Sequence, residues 1–152
     1  MTKYNNMCLS ENYGGVFLKR NVLKELIIYY DPKEGVNVDI NLHVDTLKIT
    51  SNSIECIRRF EVIKESIEWK MNIESLEMKT AFIKINSLVS KLSDPIIAAC
   101  DGDRVLIKLV YETDKIIEKE YTGSFSENGL EELAKTILSI IPKDCFYPKC
   151  IS

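Results

Sequence analysis

Between Asn72 and Leu92 the chain reads NIESLEMKTAFIKINSLVSKL. Apolar residues return there at three- and four-residue steps: Ile73, Leu76, Met78, Phe82, Ile85, Leu88, Val89 and Leu92. Lys79, Lys84, Asn86 and Lys91 fall largely between them. This spacing predicts an amphipathic helix with one apolar stripe. Asn72 and Ser75 are both suited to accept a bond from a free first-turn N–H and so to cap it. Asp94-Pro95 is the expected stop, because the residue before a proline is pushed out of the helical region. Before this helix the apolar periodicity is mostly two; after it come one hairpin and one more helix.

Gly14-Gly15 marks a turn after a polar stretch, residues 1 to about 15, read as a loosely ordered arm. Val16-Phe17-Leu18 suits a short strand. Val22 to Tyr30 is rich in β-branched and aromatic residues with apolar side chains on both parities, which suits a strand covered on both faces. Asp31-Pro32-Lys33-Glu34-Gly35 is a turn. Val36, Val38, Ile40, Leu42 and Val44 then alternate with polar residues, predicting an antiparallel partner strand with one wet face. The apolar parity slips to Leu47 and Ile49, and a bulge or turn near Asp45-Thr46 would absorb that slip. Ile54, Cys56, Arg58 and Phe60 mark a further strand. In Glu61 to Met71, Ile63, Ile67, Trp69 and Met71 share one face; helix is the alternative there, but the alternation from Ser66 to Met71 favours a last strand before the helix.

Residues 94–100 lead out of the helix, and Asp101-Gly102-Asp103 signals a turn. Arg104–Glu112 and Lys115–Thr122 form a hairpin closed at Thr113-Asp114. Residues 129–141 form the second helix, with Leu130, Leu133, Ile137, Leu138 and Ile141 as its stripe, and Pro142 ends it. Phe146 and Tyr147 in the tail are placed to pack back on the body. Strands and helices are segregated, so the expected fold class is α+β. It is a mainly antiparallel sheet with the two helices, about 72–92 and 129–141, on one face. At 152 residues a single domain spanning 1–152 is expected.

Net charge is −3, so no basic excess points to nucleic acid or to an anionic membrane surface. No apolar run nears the roughly 18 residues of a membrane span, and the polar start lacks the apolar middle of a signal peptide. The expectation is a cytoplasmic protein whose five cysteines (Cys8, Cys56, Cys100, Cys145, Cys150) are mostly buried, reduced thiols.

The usual side chains of active sites are scarce. His43 is the sole histidine, read on the polar face of its strand beside Asp45. No nucleophile accompanies it by motif, and an exposed strand residue is the plainer reading. Cys145 and Cys150 form a single C-x4-C pair, whereas zinc sites need repeated pairs or added histidines. Phosphate-binding, nucleophile-elbow and zincin motifs are all lacking. Trp69 reads as a core residue, and Tyr29-Tyr30 as structural. No catalytic residue, cofactor or metal is therefore assigned.

One feature stands above background. From Asp101 to Glu132 nine acids face four bases, a net of −5, while the rest of the chain is +2. An acidic surface of this kind suits a basic partner, although ordinary solubility also accounts for it. The candidate partner-binding residues are Asp101, Asp103, Glu112, Asp114, Glu118 and Glu120.

Residues 72–141 run amphipathic helix, Asp101-Gly102, short-looped hairpin, Tyr121-Thr122-Gly123 and final helix. This order resembles the tail of small bacterial immunity proteins of contact-dependent and other polymorphic toxin systems. The resemblance implies a cytosolic, non-catalytic protein that binds and blocks a cognate toxin, often a basic nuclease, and it carries over no motif residues. Two other readings stand beside it. One is a ligand-binding or regulatory domain with a pocket lined by Trp69, Phe82 and Ile85. The other is an enzyme using His43 with Asp45 or a cysteine.

Overall fold

The computed structural model describes residues 12–13, 16–17, 21–32, 40–92, 94–95 and 102–152. The residues read as an N-terminal arm lie outside this set, apart from 12–13. So do most of the Asp31–Gly35 turn, residues 36–39 of the expected second strand, most of the 94–100 connection, Cys8, Cys100 and Asp101.

Two short strands, β1 (Asn12–Tyr13) and β2 (Val16–Phe17), pair antiparallel across Gly14-Gly15. The body is a six-stranded, wholly antiparallel sheet built from β3 (Leu23–Asp31), β4 (His43–Ile49), β5 (Ser53–Phe60), β6 (Glu65–Asn72), β7 (Arg104–Tyr111) and β8 (Ile116–Thr122). Its order is β6-β5-β4-β3-β7-β8. The first four strands form a meander. Helix α1 (Leu76–Val89) then carries the chain back over the sheet, so that β7 pairs with β3, and helix α2 (Glu131–Leu138) follows the β7–β8 hairpin. The fold is α+β with both helices against one face.

Alternation decides what each face carries. Leu26, Ile28 and Tyr30 of β3, Leu47 and Ile49 of β4, Ile54 and Cys56 of β5, and Val105, Ile107 and Leu109 of β7 are buried on the helix face. Met78, Phe82, Ile85 and Val89 of α1 and Leu133, Ala134 and Ile137 of α2 close over them. The outer face keeps Ile27, Tyr29, Ile57, Leu106 and Val110 only half-buried, among charged neighbours.

Several boundaries differ from those predicted. α1 starts after Ser75, whose hydroxyl accepts the Met78 N–H at 3.1 Å; Asn72 instead ends β6. The helix ends at Val89, before Asp94-Pro95, and Leu76, counted in the apolar stripe, is 81% exposed. α2 is shorter than 129–141, since Gly129 takes a left-handed conformation before it and Ser139 caps it. Residues 61–64 are a turn with Lys64 at positive φ, so Ile63 belongs to no strand.

The largest correction concerns β4. The strand begins at His43, with Ile40-Asn41 in a turn, and it runs to Ile49 with no bulge at Asp45-Thr46 on either side. The parity slip is absorbed differently. Val44 turns to the outer face, where it is still buried, and Asp45 takes a core-face place at 0% exposure. His43 shares that face with Asp45, so it is not on the polar face.

Candidate functional site

Burying a carboxylate costs several kcal/mol unless it is paired and hydrogen-bonded, and β5 supplies the pair. Asp45 lies opposite Arg58 in the β4–β5 register. Arg58 Nε and Nη2 donate to the two Asp45 oxygens, each at 2.9 Å. This is the bidentate fork that makes arginine the preferred buried partner of a carboxylate. Arg58 Nη2 also donates to the Tyr147 carbonyl at 3.3 Å, and the guanidinium stands 4.6 Å from the Phe146 ring centre. The chain's last segment seals the cluster. Trp69 Nε1 donates to the Phe146 carbonyl at 2.9 Å, Phe125 N–H donates to the Cys150 carbonyl, and Cys150 and Ile151 are buried.

His43 stands at the rim. Its Nδ1 is 2.8 Å from the Asn41 carbonyl, its ring meets Phe60 edge-on, and its Nε2 is 3.9 Å from Asp45 Oδ2, beyond hydrogen-bond distance. Both Asp45 oxygens are engaged by Arg58, so Asp45 does not orient the imidazole as a carboxylate would in a catalytic pair. Burial, with the Asp45 charge adding, pushes the Cys56 thiol up to about 12; burial likewise pushes Cys150 up to about 12. Both are neutral and poor nucleophiles at ordinary pH. Cys56, Cys145 and Cys150 are unbridged. Among the described residues no three histidines, cysteines or acids come together to hold a metal ion.

The candidate acids divide into three groups. Asp103, half-buried on the helix side, accepts a short hydrogen bond from the Tyr30 hydroxyl, whose proton is held more tightly chiefly because of burial and then because of that carboxylate. Glu112 and Asp114 are exposed at the hairpin tip, where Asp114 adopts φ 67° to close the turn. Glu118 and Glu120 are exposed on the outer face of β8. Arg104 clasps Glu120 at 2.8 and 3.3 Å, and this clasp raises the guanidinium pKa further. Glu118 faces Lys108 in the register, and no ion pair forms to Glu112, Asp114 or Glu118 among the described residues. Strand β7 separates Asp103 from the tip by roughly 25 Å at about 3.3 Å per residue. The hairpin therefore presents Glu112, Asp114 and Glu118 to solvent, whereas Asp103 belongs to the core and Glu120 to an ion pair.

The trio expected to line a ligand pocket does not gather around one. Ile85 is fully buried, and Trp69 is half-buried with one edge against Phe146. Phe82 borders a surface groove of 690 Å³ with Val22, Lys79 and Glu112. A second groove of 540 Å³ runs between α1 and α2. The sequence reading missed the Asp45–Arg58 pair, yet it carries a signal. Asp45 shares parity with Leu47 and Ile49, and Arg58 shares parity with Ile54 and Cys56. Opposite charges thus interrupt two apolar faces at positions that a hairpin sets side by side. No helix among the described residues is long and apolar enough to cross a membrane. No protein-family model matches the chain, and neither does any curated protein.

Proposed function

We propose that the chain is a cytoplasmic, non-catalytic binding protein of the immunity type, which neutralises a toxin domain by covering its basic active site. The observation that supports this most is the exposure of Glu112, Asp114 and Glu118 on edge strand β8 and the β7–β8 connection, without ion-pair partners among the described residues. Carboxylates in that state remain available to pair with a partner's cations, and a hairpin already built into the sheet costs little ordering on docking. The two helices occupy the other face, which leaves the outer face, with half-buried Tyr29, Ile57 and Leu106 among charged neighbours, uncovered by either helix.

The test is protection. If a toxin domain is encoded next to this chain's gene, cells expressing it should survive when the chain is co-expressed. They should die when it carries Glu112→Lys, Asp114→Lys and Glu118→Lys together. Glu120 is left unchanged because reversing it would also release Arg104. Failure of the unaltered chain to protect, or full protection by the triple variant, rejects this reading.

A further inference from the structure

Strands β6 and β8 form the two edges of the sheet, and they are built differently. An edge strand offers a row of unpaired N–H and C=O groups to any matching chain. At β8 that offer is obstructed. Self-pairing centred on Glu118 or Glu120 sets that glutamate against its own copy, and pairing centred on Lys119 sets Glu118 against Glu120. Lys119 is also tied down, donating to the Leu92 carbonyl and to Asp94 at 3.0 Å each.

β6 is open. It is eight residues long, every residue but Trp69 is exposed, and it pairs with β5 over its whole length without a bulge. Ile67 and Met71, on the helix face, are 48% and 41% exposed. Ile73 N–H donates to Asn52 on the β5 side. Antiparallel strands alternate the direction of their hydrogen-bonding groups, so the odd-numbered residues of β6 face β5. The backbone groups of Ser66, Glu68, Lys70 and Asn72 face outward.

We propose that a second copy of this chain docks on β6, antiparallel and about a two-fold axis at Trp69, to join the two sheets into one of twelve strands. That register sets Glu68 opposite Lys70 of the partner copy and Lys70 opposite Glu68, so two cross-strand ion pairs form on the outer face. On the helix face it sets Ile67 against Met71, Met71 against Ile67, and Trp69 against Trp69. The outward backbone groups then meet as hydrogen-bonded pairs, Ser66 with Asn72 and Glu68 with Lys70, while Trp69 takes the closer non-hydrogen-bonded position. Moving the axis one residue either way loses this match, because it opposes Glu68 to Glu68 or Lys70 to Lys70. Opposite charges and apolar pairs across strands stabilise, and like charges directly opposed destabilise. The acidic hairpins lie on the far edges of such a dimer and stay accessible.

Sedimentation equilibrium of the full chain tests this, with the fluorescence of its single tryptophan as a second reading. The unaltered chain should sediment at twice its chain mass at tens of micromolar, and its tryptophan emission should shift red on dilution. Glu68→Lys opposes lysine to Lys70 at both symmetric positions and should weaken the dimer roughly tenfold or more. It faces only Ile57 on β5, so the fold is unaffected and the circular dichroism unchanged. The double change Glu68→Lys with Lys70→Glu rebuilds the pairs in reverse and should be tighter than the single variant, with circular dichroism checking that Lys70→Glu, which faces Glu55 on β5, leaves the fold intact. A chain that stays monomeric overturns the proposal, as does a dimer indifferent to Glu68→Lys or a double variant no tighter than the single one.

Discussion

Asp45 and Arg58 are the residues on which the core's polarity turns. A carboxylate with no exposed surface is tolerated because a planar cation grips both of its oxygens, and the grip is in turn held by Phe146 and the Tyr147 carbonyl. Removing one partner of such a pair strands the other, at a cost of about 3–5 kcal/mol. Arg58→Met should therefore lower the urea-derived unfolding free energy by about that much. Arg58→Met with Asp45→Leu should recover most of the loss, because well-packed apolar groups replace buried ion pairs at little or no cost. Equal losses in the single and double variants would show that the pair is not the source. The parity of both residues was readable beforehand. Their partnership was not, because a slip in alternation suits a bulge equally well until the register is known. The Tyr30–Asp103 bond was hidden for a similar reason: it spans 73 positions and depends on β7 docking beside β3.

The elements with strong local signals formed nearly where they were expected. α1 has its three-and-four spacing and a serine at its start, and Ser75→Ala should cost about 1 kcal/mol, measured by chemical denaturation. The hairpin Arg104–Thr122 has clean alternation, but its connection is longer than the expected Thr113-Asp114: it runs from Glu112 to Lys115, with the Asp114 N–H donating to the Tyr111 carbonyl. Gly102, read in advance as a turn residue, is held at φ 142°, and a Cβ there would meet Thr122 Cγ2 at 2.6 Å. Gly102→Ala should accordingly destabilise by about 1–3 kcal/mol, and a neutral change would show that the turn relaxes. Element ends were less legible. Asn72 caps helices as readily as it ends strands, and pairing with Ser53 made it the last residue of β6. Among the described residues β4 begins at His43, because Ile40-Asn41 form a turn.

For the whole molecule, two helices about 10 Å wide cover less than six strands about 4.8 Å apart. The shortfall lands on β6, and the C-terminal segment covers only its centre, at Trp69. That same segment buries Cys150, which with buried Cys56 gives the fold a sensitivity to alkali. The folded state holds both thiols neutral up to about 12, above the usual thiol range near 9. The folded pKa exceeds the unfolded one, so this contribution is complete below about pH 9 and drains away as the pH rises towards 12. Tyr30, also held protonated, adds to the loss at the upper end. The urea midpoint should stay flat from pH 7 to 8.5 and fall above 9, and Cys150→Ala should flatten that fall. The class of fold was legible from segregation of the two periodicities, whereas the covering role of the tail was not, since KDCFYPKCIS has no period of its own.

Whether unpaired acids on this chain meet a basic surface, as proposed, can be read from the salt dependence of binding. Calorimetric titration with a toxin domain against which the chain protects should give an affinity that falls steeply between 50 and 300 mM salt, as long-range attraction is screened. The fall should be shallow, from a much weaker starting affinity, when Glu112, Asp114 and Glu118 are all lysine. The same affinity and the same salt dependence in both proteins would contradict the proposal.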